Sequence, residues 1–156
     1  MQNAANHQTA ERPDAGLNIL LVEDNECDAE LMRYFFAQTW MQGVVNVVCS
    51  GEDALDFIFR RGKYRDAVMP DIVFVDINLP GKSGIEIADI LGAHAETIDI
   101  PVFLLSGAPP PVPSPDARTD KCPAIHACLS KPLTRASLAN VLRAVDARHG
   151  DVKAAS

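Results

Sequence analysis

The sequence has no apolar run long enough to cross a membrane, and residues Met1 to Gly16 are polar, without the hydrophobic core of a signal peptide. Both absences argue for a cytoplasmic protein with no membrane partner. Positive charge is scarce as well. Lys and Arg number 14 against 21 Asp and Glu, and the net charge of −7 argues against a nucleic-acid partner, whose binding needs cations to neutralise phosphates. The same charge suits a divalent cation. The four cysteines, Cys27, Cys49, Cys122 and Cys128, lack zinc-ribbon spacing; Cys122 and Cys128 flank His126, a set of three ligands with no fourth. They read as reduced, partly buried thiols. No internal repeat is present, and 156 residues suit one domain with a sizeable core, with no room for a second functional one.

What is present is an apolar fraction of 47% with charged residues at 22%, the composition of a soluble globular chain. Its centre is the stretch from Asp71 to Pro80. Here Ile72-Val73-Phe74-Val75 form a β-branched and aromatic run, expected of a strand buried on both faces, and the run delivers a carboxylate, Asp76, where it ends. Turn residues follow in Leu79-Pro80-Gly81. The pattern recurs along the chain. Ile19 to Val22 stop at Glu23-Asp24-Asn25, and Pro101 to Leu105 stop at Ser106-Gly107. His126 to Ser130 stop at Lys131-Pro132.

Between these strands the spacing predicts helices. Leu31, Met32, Phe35 and Phe36 recur at helical intervals after a cap at Asp24 or Asn25, and Gly43 should break that helix ahead of a strand from Val44 to Val48. Ser50-Gly51-Glu52-Asp53 opens a helix burying Ala54, Leu55 and Ile58. Gly62 to Pro70 reads as a polar loop. Ser83 with Glu86 opens a helix bearing Ile85, Ala88 and Leu91, ended by Gly92, and Thr134 caps a last one with Leu138, Val141, Leu142 and Val145 inward. The anomaly is Ala108 to Ala124. Its six prolines each remove an amide donor, at about 3 kcal/mol apiece in a helix interior, so the fourth helix is expected to be disrupted or very short. Five strands alternating with four or five helices imply an α/β fold, a doubly wound parallel sheet covered on both faces. Residues 1–16 are expected to form a disordered leader and 149–156 a flexible tail.

In a parallel sheet the strand ends share one edge, where ligands of open α/β folds bind. That edge would collect Glu23, Asp24, Asp76, Ser106 and Lys131. Clustered carboxylates repel one another, and a hard ion such as Mg²⁺ relieves this while keeping several waters. Add a lysine and a hydroxyl, and the set becomes a receptor for a phosphoryl group, with Asp76 attacking in line to give an aspartyl phosphate. Taken singly, Glu23-Asp24 reads as well as a helix cap, Ser106 as a turn residue and Lys131 as a solvated charge. Their order along the chain is what joins them.

The set Glu23-Asp24, Asp76, Ser106 and Lys131-Pro132 resembles that of the response-regulator receiver domains of two-component signalling, from about Leu17 to Ala147. The resemblance implies a receiver domain over residues 17–148 with the flavodoxin-like strand order 2-1-3-4-5. It makes Asp76 the phosphoacceptor, Asp24 a direct Mg²⁺ ligand and Glu23 a partner acting largely through water. Asn78 matches the position whose backbone carbonyl ligates the metal. Ser106 fills the Thr/Ser switch position, Lys131 is the phosphate-binding lysine, and Lys131-Pro132 resembles a peptide bond that is cis in the family. Two departures stand out. Receivers usually carry Tyr or Phe where this chain has Cys128, and the prolines fall on the fourth helix, a common output surface. Phe59-Arg60-Arg61-Gly62-Lys63-Tyr64, the loop to Pro70 and Asp-Ile-Asn-Leu-Pro are similar to single-domain regulators that partner phytochrome-type histidine kinases.

The function implied is signalling, not enzymatic turnover: a phosphoryl group accepted from a histidine kinase or a histidine phosphotransfer protein, with a downstream protein as listener. A homodimer through the last strand and helix is compatible with it. Two other classes compete. One is a pseudo-receiver, a binding module that is never phosphorylated. The other is a phosphohydrolase of the haloacid-dehalogenase type, which places a second Asp two residues after the nucleophile, where this chain has Asn78.

Overall fold

The computed structural model describes residues 17–38, 43–79, 81–107, 125–139 and 141. In chain order these form β1 (Leu17–Val22), α1 (Glu26–Ala37), β2 (Gly43–Val48), α2 (Gly51–Ile58) and a 3-10 turn (Gly62–Tyr64). They continue with β3 (Ile72–Asp76), α3 (Gly84–Gly92), β4 (Val102–Ser106) and β5 (Ile125–Ser130), then helical residues 135–139 and 141. All pairings are parallel, and the sheet order is β2-β1-β3-β4-β5. That is the α/β doubly wound order expected from the sequence. The expectations for residues 1–16, 108–124 and 149–156 lie outside the described residues.

The strands read as unbroken apolar runs because both faces are covered. Side chains alternate across the sheet, so β3 sends Val73 and Val75 to one face, where they pack with Ala54, Leu55 and Ile58 of α2 and Ile87, Ala88 and Leu91 of α3. Ile72 and Phe74 go to the other face, against Met32 and Phe36 of α1 and Leu138 and Val141. Phe74 packs at a tilt against Phe36 and stacks on Phe103, at centroid distances of 5.2 and 5.7 Å.

The helix starts follow their caps. Asn25 caps α1 by accepting from the Asp28 N–H at 3.0 Å. Ser50 caps α2 through the Asp53 N–H at 3.1 Å, and Ser83 and Glu86 form a reciprocal capping box on α3. Some details depart from the sequence reading. Leu31 of α1 and Ile85 of α3 face outward, and it is Ala29 and Ile87 that are buried. Gly43 does not act as a helix breaker: it is the first residue of β2, paired with Leu17, where a Cβ would come within 2.1 Å of the Leu17 carbonyl oxygen. The loop from Gly62 to Pro70 contributes Tyr64, Ala67 and Met69 to the core and is less polar in role than in composition.

Candidate functional site

Each candidate side chain is held at the carboxyl edge of the sheet by the backbone just beyond a strand. After β1 the Glu23 N–H donates to the Val48 carbonyl at 3.0 Å, prolonging the ladder and turning the Glu23 side chain into the edge, where it is 1% exposed. Glu23 Oε1 accepts from the Asn25 N–H at 3.1 Å, so one turn sets both the acid and the cap of α1. Asp24, between them, is exposed. After β3 the Ile77 N–H donates to the Leu105 carbonyl at 2.8 Å, and Asp76 Oδ1 accepts from the Asn78 N–H at 2.9 Å. Helix α3 begins hard against this turn. A Cβ on Gly84 would lie 3.1 Å from the Asp76 carbonyl oxygen and 3.0 Å from Val75, so glycine permits the approach. After β5 the Lys131 N–H donates to the Ser106 carbonyl at 2.9 Å, and Lys131-Pro132 is a cis peptide.

The side chains converge. Carboxylate oxygens of Glu23, Asp24 and Asp76 lie within 4.8 Å of one another. The Lys131 ammonium enters this group, donating to Glu23 Oε2, to Asp76 Oδ2 at 2.9 Å and to Asp28 Oδ2 at 3.1 Å. Ser106, buried at the end of β4, shares the edge through its backbone bond to Lys131. Asn78 contributes a backbone N–H to Asp76. Asp28 is the member that sequence reasoning missed. An acid in the first turn of a helix ordinarily answers to the helix dipole, and only its position one turn after Asp24 hints at more.

Burial and charge act against each other here. Glu23 is raised above its ordinary value, by desolvation first and by the neighbouring Asp76, against the lowering influence of the Lys131 ammonium and the Asn25 N–H. For Asp76 burial is again the largest influence and raises the pKa, but the Asn78 N–H, Lys131 and the neighbouring Glu23 lower it, and the net effect holds the carboxyl below its usual range. Burial would lower Lys131, yet Glu23, Asp76 and Asp28 hold it well above the ordinary lysine value. Of the two buried acids, Asp76 is therefore the one whose ionised form the site favours, the state a nucleophile requires. The donor set also fits a hard divalent cation: oxygen ligands only, more negative than positive charge, and one carboxylate, Asp24, open to water.

Cys128, at the position where receivers usually carry an aromatic residue, is half-buried opposite Leu104 of β4 and packs against the core on the α2–α3 face. Burial pushes its thiol up, so it sits there as a protonated, apolar-behaving group.

A parallel five-stranded sheet with an acidic cluster, an ionised aspartate and a lysine on its carboxyl edge defines a receiver. The family model described as the response regulator receiver domain matches residues 19–143, and the chain belongs to that family. Among its relatives is the response regulator Rcp1 of Synechocystis sp., 28% identical over 88 residues, which are 56% of this chain and 60% of Rcp1. The match thus spans less than two thirds of that relative. Among solved structures, the phosphorylated cyanobacterial phytochrome response regulator RcpA is similar at 26% identity and a TM-score of 0.65, covering 85% of this chain and 92% of RcpA. The bacteriophytochrome response regulator AtBRR is similar at 25% identity and a TM-score of 0.69, covering 84% and 93%.

Proposed function

We propose that this receiver accepts a phosphoryl group on Asp76 from a phosphohistidine and signals by changing its affinity for a protein partner. The observation that carries the reading is the ionised Asp76 carboxylate, held by Lys131 at 2.9 Å beside Glu23 and Asp24. One oxygen of Asp76 forms the new O–P bond as the N–P bond to the donor imidazole breaks, and the imidazole nitrogen keeps the electron pair and takes up a proton. Lys131 binds one oxygen of the transferring group, and the Ser106 hydroxyl donates to another. Asp24 and Asp76, the Asn78 carbonyl and, through water, Glu23 would hold Mg²⁺, which would neutralise phosphoryl charge that the single ammonium leaves uncompensated.

The similarity to RcpA and AtBRR supports a phytochrome-type histidine kinase as the donor's source. Among the described residues no helix is long and apolar enough to cross a membrane, which agrees with a cytoplasmic kinase domain as partner. Incubation with acetyl phosphate and Mg²⁺, followed by intact-mass measurement, tests the reading. One phosphate should be gained, and Asp76→Asn should abolish the gain. No gain with any small donor would make the chain a binding module, and repeated turnover of phosphate esters would make it a hydrolase.

A further inference from the structure

The Lys131 ammonium has three protons and, among the described residues, three carboxylate partners. None is spare for an incoming phosphoryl oxygen, so one bond must be given up. The three partners differ in how readily they can lose it. The Glu23 side chain is fully buried and the Asp76 side chain is 10% exposed, whereas that of Asp28 is 40% exposed and its bond, at 3.1 Å, is the longest. Water can replace the ammonium at Asp28 but has little access to the other two.

We propose that Asp28 is a positioning residue of the phosphoacceptor site, the exchangeable anchor from which the Lys131 ammonium passes to a phosphoryl oxygen. This rests on the reading of Asp76 as the acceptor. Asp28 is placed for the task by the same turn that carries the acid pair. Its N–H donates to Asn25 Oδ1, and the Asn25 N–H donates to Glu23 Oε1, so its carboxylate stands over Lys131 from the first turn of α1. Helix capping uses only the backbone of Asp28. Its side chain is engaged instead with a residue 103 positions away in sequence.

Neutralising Asp28 removes a competitor for the ammonium and a negative charge close to where a dianionic group must sit. Asp28→Asn should therefore accept phosphate faster than wild type, with a second-order rate constant for acetyl phosphate raised about threefold, the scale of a part-exposed ion pair. Asp28→Glu, which keeps the charge, should stay close to wild type, and Asp28→Ser gives a second neutral variant. A readout free of metal and donor accompanies the rates: in metal-free protein, the ammonium protons of Lys131, followed by ¹⁵N NMR, should exchange with water faster in Asp28→Asn. If wild type gains no phosphate, the acceptor reading falls and this inference with it. If wild type is phosphorylated but the neutral variants are no faster, or their ammonium exchange is unchanged, this inference alone is overturned.

Discussion

Replacing Lys131 by alanine removes the only described cation in direct contact with Glu23, Asp28 and Asp76, and its cost follows from burial. Truncating one partner of a buried ion pair costs about 3–5 kcal/mol, mostly because the other charge is stranded. The Glu23 side chain is fully buried, but Lys131 is 17% and Asp28 40% exposed, so the rim is wet and the lower end, about 3 kcal/mol, is expected in EDTA. The pH dependence between about pH 5 and pH 8 should steepen with the substitution. In wild type, Asp76 is held below its ordinary 3.8, so its contribution is present above that value and is lost as pH falls through the folded value. Lys131 is held above its ordinary 10.5; its contribution is complete below 10.5 and is lost as pH rises through the folded value. Only Glu23, raised above 4.5, works the other way, and acidification relieves it. Without the ammonium Asp76 loses one of the influences that hold it down, leaving the Asn78 N–H, and Glu23 rises further. The folded variant then binds protons more tightly than its unfolded chain and should gain stability from pH 8 towards pH 5 relative to wild type. Urea unfolding in EDTA across that range measures both effects, and the wild-type comparison subtracts the histidines. A variant within about 1 kcal/mol of wild type, or a difference independent of pH, would show that Lys131 is not the counter-charge of this cluster.

Two further expectations probe the metal and the sheet. In a Mg²⁺ titration of the unphosphorylated protein, Asp24→Ala should weaken binding strongly and Glu23→Ala less; equal losses would contradict direct ligation by Asp24 with Glu23 acting through water. Gly43→Ala should destabilise the fold by about 1–3 kcal/mol, the range for overpacking, because its Cβ would meet the Leu17 carbonyl oxygen at 2.1 Å and β2 must move off β1. Thermal unfolding reads this, and an unchanged midpoint would mean that the edge strand yields freely.

The contrast between what the sequence shows and what it hides has a physical basis. Strands β3 and β4 and the last four residues of β1 are legible because burial on both faces demands an unbroken apolar run, and the polar residue that ends each run marks the sheet edge. Since parallel strands end on one side, Glu23, Asp24, Asp76 and Lys131 could be placed together before any coordinates. Gly43 shows the opposite case. Glycine is an ambiguous sign: a helix breaker and a strand residue too crowded for a Cβ look alike until the neighbouring backbone is known. Leu31 misleads for a related reason, because apolar residues at helical spacing show that a helix forms but not where its buried stripe begins.

Asp28 was illegible for a deeper reason, which bears on how the site works. Local rules already explain it, since an acid at the third position of a helix is favoured by the dipole whether or not anything faces it. Its pairing with Lys131 depends on the angle at which α1 leaves β1, and that angle is set by the bonds joining Glu23, Asn25 and Asp28. The buried acid, the helix cap and the outer anchor of the lysine are thus one covalent turn. Any group that draws Lys131 away from Glu23 or Asp28 acts on that turn and so on the start of α1. Under the proposed function, phosphorylation of Asp76 would act on the start of α1 through the charge of Lys131, without calling on the position that Cys128 occupies in this chain.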